Sequence, residues 1–290
     1  MESWLTGSRS GLTSRSSRSA APKPRAKKRF GQHFLSDINI LRRIADAAEI
    51  ARDEAALEVG PGLGSLTAVL AERSARVVAV EIDRDLIDAL VQRFSDTPNV
   101  TIVEADVLEH TPGELLQLGG ASPPYVVVAN LPYNIAAAVL RHFLEGEVRP
   151  RRIVAMLQLE VAEAIVARPG EMSLLSVATQ VYGETTMVTR VAPGAFNPPP
   201  AVESAVVRID VADAPRVDVP LDALFRVVRA GFGNPRKQLR NSLSFGLHVK
   251  QAVVDEVLAA AAIDVTLRPQ VLALDDWASI TRAWIERMPQ

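Results

Sequence analysis

Cysteine is absent from the 290 residues. That excludes a disulfide framework, thiolate metal sites and a cysteine nucleophile, and it is compatible with a reducing compartment. No apolar run approaches the ~20 residues needed to span a bilayer, so an integral membrane protein is excluded and no membrane partner is expected. Lysine is scarce, five against twenty-seven arginines, a bias that hints at a GC-rich genome. The expectation is a bacterial, cytoplasmic protein. No internal repeat is visible. What is present is ordinary for a globular chain: 48% hydrophobic and 23% charged residues, with length for one sizeable core and a smaller second domain.

The net charge of -2 hides an asymmetry. Residues 1–29 carry eight cations, among them Lys27, Lys28 and Arg29, against the single acid Glu2, which gives +7 there and leaves -9 for the rest. A second acid-free region runs from Ala223 to Val254 and holds Arg226, Arg229, Arg236, Lys237, Arg240 and Lys250. Two basic segments on an acidic chain suggest a polyanion partner that touches part of the surface. The plainer alternatives are a solvated leader and a solvated helix face.

Residues 1–24 are rich in Ser, Arg, Gly and Pro and nearly aperiodic, as a disordered basic leader would be. Their composition overlaps with organellar transit peptides. Ser36 or Asp37 then caps an expected helix with Ile38, Leu41, Ile44 and Ala48 on its apolar face. A regular alternation follows, with strands at 56–60, 76–81, 100–104, 124–130 and 152–158 and helices at 64–73, 84–94, 112–118, 135–145 and 159–167. That spacing implies βαβ units and a parallel sheet. Runs at 174–182, 185–192 and 203–211 read as strands, the last two able to pair antiparallel at one sheet edge. Residues 212–220, with Pro215 and Pro220, read as a linker. Helices are expected at 221–232, 236–246, 250–262 and 275–287. The division is therefore a leader at 1–24, an α/β domain at 25–211 and a helical domain at 212–290.

Glu58-Val59-Gly60-Pro61-Gly62-Leu63-Gly64 lies between the first long strand and its helix. Glycines at alternate positions let the backbone turn and approach a ligand that a Cβ would repel. A dinucleotide site would want G-x-G-x-x-G with a pyrophosphate on the helix amides. Here the sixth position of that frame is Ser65, whereas E-x-G-x-G-x-G fits throughout and suits a ligand without phosphates, S-adenosylmethionine. Glu58 would add negative charge near a sulfonium and an ammonium. Glu81 ends the next strand, where a carboxylate accepts ribose hydroxyls, and Asp106 follows the third, placed to accept from an adenine amino group. Each acid alone is as readily a helix cap or a solvated loop residue; three at successive strand ends, in phase with the loop, point to one cofactor.

Asn130-Leu131-Pro132-Tyr133-Asn134-Ile135 follows Tyr125-Val126-Val127-Val128-Ala129, a run that reads as a buried parallel strand. Ligands of open α/β sheets bind at the carboxyl edge. Leu131-Pro132 should form a stiff turn with carbonyls free to accept from an amino group, and the Tyr133 ring offers a face for a base.

With these residues in view, the chain resembles the small-subunit ribosomal RNA adenine N6,N6-dimethyltransferases over about residues 27–285. The shared stretches are Phe30-Gly31-Gln32-His33-Phe34-Leu35, the glycine loop, Glu81, Asp106, Asn130 to Ile135, Phe196-Asn197-Pro198-Pro199-Pro200-Ala201 through Val207, and Arg236-Lys237-Gln238-Leu239-Arg240. The resemblance implies an α/β class I S-adenosylmethionine-dependent methyltransferase: a Rossmann-like seven-stranded sheet with one antiparallel strand, and a small C-terminal all-α domain that binds RNA. It implies dimethylation of two adjacent adenosines in the hairpin loop near the 3′ end of small-subunit (16S) rRNA, in a pre-30S particle, by a monomer. Carried over, cofactor contacts fall on His33, Leu35, Gly60, Glu81, Asp106 and Asn130; Gln32, Glu58 and Gly62, beside them in the motif and the loop, are further candidate cofactor contacts. Leu159 stands where many members carry lysine.

The chemistry expected is a grip on adenine N6 by the Asn130 side-chain oxygen and the Leu131 or Pro132 carbonyl, with the extruded base between the Tyr133 and Phe196 rings. RNA contacts are expected from Arg236, Lys237 and Arg240 on a basic helix, and from Lys27, Lys28 and Arg29 near the pocket mouth. The rivals are a large-subunit rRNA adenine methyltransferase of the macrolide-resistance type, a non-catalytic ribosome-assembly or transcription factor on the same fold, and, least of all, a NAD-dependent oxidoreductase.

Overall fold

The computed structural model describes residues 33–287, so Gln32, Lys27, Lys28, Arg29 and the leader lie outside the described residues. The chain enters as a two-residue strand, β1 (Phe34–Leu35), and a helix, α1 (Ile38–Ala48). Asp37 starts α1 by accepting from the Asn39 N–H at 2.9 Å, the expected cap. Five strands then run parallel: β2 (Ala55–Val59), β3 (Arg76–Glu81), β4 (Val100–Glu104), β5 (Tyr125–Asn130) and β6 (Arg152–Gln158). The helices between them are α2 (Ser65–Ala71), α3 (Arg84–Arg93), α4 (Pro112–Leu118) and α5 (Ala136–Glu145).

Strand residues alternate between two apolar layers because successive side chains point to opposite faces. Leu57, Val78, Val80, Val127 and Ala129 join the layer of Leu115, Leu140 and Phe143. Ala56, Val77, Ala79, Val126 and Val128 join Leu41, Ile44, Leu66 and Leu70 on the other side. Burial on both faces is why these strands are continuous apolar runs.

After β6 come α6 (Leu159–Val166) and α7 (Leu174–Gln180), then β7 (Gly183–Val191), β8 (Phe196–Asn197) and β9 (Ser204–Val211). The expected strand at 174–182 is thus a helix. Ser173 and Ser176 cap it reciprocally, and this capping pair outweighs the β-branched content of Leu174-Leu175-Ser176-Val177-Ala178-Thr179. β9 runs antiparallel to both β6 and β7, giving the sheet order β4-β3-β2-β5-β6-β9-β7. This is the seven-stranded sheet with one reversed strand. β1 and β8, not foreseen as strands, pair with each other, Leu35 opposite Phe196.

The chain leaves β2 towards β3 and β4 on one side and returns to β5 on the other. A crevice therefore opens beyond the carboxyl ends of β2 and β5, the switch point of the sheet. Residues 212–220 form no helix or strand and lead into α8 (Leu221–Phe232), α9 (Leu239–Leu247), α10 (Gln251–Ala260) and α11 (Leu274–Arg287). Leu224, Val228, Leu243 and Trp277 of these helices continue the apolar layer of Leu115 and Phe143. α9 begins three residues later than the sequence suggests, so Arg236 and Lys237 occupy the turn before it. Pro235 and Gly233 precede them, and neither favours helix continuation.

Candidate active site

At the end of β2 the backbone turns through Gly60 at φ +68°, its N–H donating back to the Val80 carbonyl at 2.9 Å. A Cβ built on Gly60 would meet no atom within 4 Å, so the space above this residue is open to a ligand. The loop is fastened to the next strand by Glu81, one carboxylate oxygen of which accepts from the Gly62 N–H at 3.3 Å. Its other oxygen holds the Ile82 and Asp83 N–H groups at 3.0 and 2.9 Å. Glu81 is buried, and desolvation raises its pKa although these three N–H groups pull the other way. Its lone pairs are only partly used, which leaves acceptor capacity for hydroxyls. Asp106 accepts from the Leu108 N–H with one oxygen and presents its carboxylate to the same crevice.

Glu58 departs from expectation. It is 1% exposed, and burial pushes its carboxyl up to about 8. The nearby Glu81 charge adds to that, and the Thr67 hydroxyl lowers it only in part. The Glu58 Oε2 and Thr67 Oγ1 atoms are buried without a well-formed hydrogen bond. At neutral pH the cofactor-free carboxyl is therefore mostly protonated rather than a standing negative charge. It faces a small cavity of about 40 Å³ shared with Leu35, Gly60, Gly62 and Asn130.

From the other side of the switch point, β5 delivers Asn130. Its Nδ2 donates to the His33 carbonyl at 3.1 Å, which fixes the amide orientation because a carbonyl only accepts. The His33 Nδ1 reaches the Pro198 carbonyl at 2.9 Å, and for the same reason Nδ1 carries the proton. The His33 ring lies near-parallel to Tyr133, centroids 5.9 Å apart and planes at 24°. The Tyr133 hydroxyl is 2.8 Å from the fully buried Ser204 Oγ on β9. In the turn itself, the Pro132 carbonyl accepts from the Ile135 N–H at 3.1 Å, and Leu131 N–H donates to the Met156 carbonyl. Of the two carbonyls expected to hold a substrate, Pro132 is thus engaged by the turn, and Leu131 is the one the turn does not use.

These residues line one crevice of about 190 Å³: His33, Gly60, Gly62, Glu81, Asp106, Asn130, Leu131, Pro132 and Tyr133. The donor set fits S-adenosylmethionine. Carboxylates suit a ribose and an amino group, and a fixed amide meets a polar edge.

The ribosomal RNA adenine dimethylase family matches residues 23–278. The chain belongs to that family. It is an S-adenosylmethionine-dependent rRNA adenine dimethyltransferase. The small-subunit rRNA methyltransferase A of Dehalococcoides mccartyi strain CBDB1 is 42% identical over 257 residues, covering 88% of this chain and 87% of that protein. The enzyme of the same name from Geobacter metallireducens is 42% identical over 263 residues, covering 89% and 95%. Among solved structures, the 23S rRNA methyltransferase ErmE superposes with a TM-score of 0.70 at 29% identity, covering 89% of this chain and 100% of that one. A dimethyladenosine transferase from Plasmodium falciparum shares the fold, with a TM-score of 0.75 at 22% identity over 88% and 98% of the two chains.

Two expectations for the dimethylase need correction. Phe196 does not line the crevice: it is 5% exposed and packs into the layer of Leu35, Val191 and Val206. Its pairing with Leu35 turns the ring inward, so the aromatic partner of Tyr133 at the crevice is His33. Arg240 is not a free cation. Its guanidinium donates to Asp255 Oδ2 of α10 at 2.6 Å, which leaves Arg236 and Lys237 exposed on the preceding turn. Ile82, Val107 and Leu108, for which no motif in the sequence speaks, add to the apolar lining of the crevice beside Phe34, Val59 and Ile135. Only their positions, one or two residues past the strand-end acids Glu81 and Asp106, mark them.

Proposed function

We propose that this dimethylase acts on small-subunit rRNA, converting two adjacent adenosines of the 3′-terminal hairpin loop to N6,N6-dimethyladenosine during small-subunit maturation. The reading further places it in the cytoplasm as a monomer acting on a pre-30S particle. The substrate assignment is supported by the relatives, identical at about two residues in five along nearly the whole of both chains. The chemistry is supported by one observation above others, the Asn130 amide held by its NH2 group on the His33 carbonyl.

S-adenosylmethionine supplies a methyl group already activated by its sulfonium, and His33, Leu35, Gly60, Glu81 and Asp106 would hold it. What the chain must do is present adenine N6, whose lone pair is delocalised into the ring. With Nδ2 committed to His33, the Asn130 Oδ1 is the end of the amide left to accept from an N6 hydrogen. The Leu131 carbonyl takes the other. Two acceptors on one amino group draw it towards tetrahedral geometry and stabilise the positive charge that develops on nitrogen. Tyr133, braced by Ser204 and flanked by His33, gives the base a fixed ring to lie against, worth ~1–3 kcal/mol. No general base is required, because the methylated ammonium loses its proton to water. Extrusion of the base costs least in a loop.

The decisive experiment is primer extension on purified small- and large-subunit particles incubated with the enzyme and S-adenosylmethionine. The expected result is a stop at two adjacent adenines near the 3′ end of the small-subunit rRNA. A stop in the large-subunit rRNA alone would replace this reading with the macrolide-resistance type.

A further inference from the structure

Of the three strand-end carboxylates, Glu58 alone does not line the crevice. Two positions past Ala56 on β2, it points to the same face of the sheet, towards α1 and α2. There it meets the small cavity behind the glycine loop, walled by Leu35 of β1, Leu41 of α1, Ser65 and Leu66 of α2 and Asn130 of β5. Gly60, Gly62 and Asn130 border both spaces. The carboxyl is thus separated from the crevice by a shared wall of loop backbone and one amide.

The fold gains nothing from an acid at this place. Glu81 is held by three N–H groups and Asp106 by one, whereas the Glu58 Oε2 is buried without a well-formed hydrogen bond. Burying such a group costs stability that an apolar side chain would not. Few charges act on it. Glu81 of β3 opposes its ionisation, Arg93 of α3 favours it, and the Thr67 hydroxyl of α2 eases it only in part. The cavity walls bring no further titratable group.

The cofactor brings the missing cation. S-adenosylmethionine carries a sulfonium and an ammonium, and its product S-adenosylhomocysteine keeps only the ammonium. In a dry site a positive charge favours the carboxylate over the carboxylic acid. Reciprocity then requires the carboxylate to favour the positive charge by the same factor.

We infer that Glu58 is a selectivity residue of this dimethylase: from behind the glycine loop it favours the cationic S-adenosylmethionine over its neutral-sulfur product, which eases exchange of one for the other between the two methylations of an adenosine. It acts by charge across the loop and takes no part in transfer. The inference rests on the cofactor assignment, not on which rRNA is methylated.

The test is calorimetric binding of both ligands to the parent and to Glu58→Gln, from about pH 6 to about pH 9, in buffers of different ionisation enthalpy so that protons are counted. Comparing parent with variant at each pH removes the ligands' own titration. Near pH 7 the parent should release up to about one proton more than the variant on binding S-adenosylmethionine, and no more on binding S-adenosylhomocysteine. Its preference for the cofactor over the product should rise with pH and level off once the free carboxyl, at about 8, is ionised. On that plateau the preference should exceed that of Glu58→Gln by about tenfold, the coupling that one pKa unit represents. Sinefungin, which has an ammonium in place of the sulfonium, should behave as S-adenosylmethionine does. Thr67→Val keeps the carboxyl and removes the hydroxyl that favours its ionisation, so it should move the rise to higher pH. Equal preference in parent and Glu58→Gln at every pH, with equal proton release, overturns the inference. Equal weakening of both ligands in the variant also overturns it, in favour of a role in shaping the loop. If the parent binds neither ligand, the cofactor assignment beneath the inference fails.

Discussion

The Asn130 side chain and the His33 backbone meet through one hydrogen bond of 3.1 Å across 97 residues of chain. It decides which end of an otherwise symmetric-looking amide faces the substrate. Replacing Asn130 with Ala removes the acceptor, and turnover with both substrates saturating should fall by about 100-fold, the scale of losing one preorganised polar partner. Asn130→Asp keeps an acceptor but sets a carboxylate against the His33 carbonyl. It too should be slow. An Asp variant as fast as the parent would show that the bond to His33 orients nothing.

Tyr133 is braced by a residue 71 positions away, its hydroxyl 2.8 Å from the Ser204 Oγ. Ser204→Ala leaves that hydroxyl without its partner at a cost of ~1–3 kcal/mol. The ring should lose its fixed tilt while its stacking surface stays. The expected signature is a rise in KM for rRNA larger than the fall in kcat, with cofactor affinity within about twofold. A change confined to cofactor affinity would argue that Ser204 serves the sulfonium side instead.

Glu58 should make stability depend on pH in a direction opposite to that of most carboxylates. Its folded pKa is raised from 4.5 to about 8, so between those values the folded chain holds a proton that the unfolded chain has lost. Stability then falls as pH rises through that window and levels off above it. Glu58→Gln is neutral at every pH. In the cofactor-free enzyme its melting temperature should exceed that of the parent by a margin that widens from about pH 5 to pH 8. A constant difference across that range would refute the neutral carboxyl.

The glycine loop separates binding from folding. Gly60 and Gly64 both have positive φ, +68° and +77°, so alanine strains the backbone at either by ~1 kcal/mol. At Gly64 a Cβ would also lie 2.7 Å from the Phe94 ring, and Gly64→Ala should lower the melting temperature more than Gly60→Ala does. At Gly60 the added methyl enters the open cradle, so the larger loss should appear in calorimetric cofactor affinity. Equal losses of both quantities in both variants would contradict this division.

Much of the scaffold was legible because it follows from period and punctuation. β2 to β6 coincide with five apolar runs, and α8 over Leu221–Phe232 with an amphipathic stretch behind a proline. Asp37, Gly60 and Pro132 announce their turns through backbone chemistry that neighbours do not alter. α7 was missed because Ser173 and Ser176 cap each other, a local signal hidden by strand-forming side chains. β1 and β8 were missed because two-residue strands have no period to read, and each exists only through the other.

By itself the sequence determined that Gly60, Glu81, Asp106 and Asn130 would share the carboxyl edge of one sheet, since alternating strands and helices leave their ends nowhere else to go. Only tertiary packing decided that Phe196 turns into the core, that Arg240 is consumed by Asp255, and that Glu58 is dry enough to keep its proton. Those outcomes depend on what packs against each side chain, from Asp255 fifteen positions from Arg240 to Leu35 opposite Phe196, and neither spacing nor residue type names that neighbour.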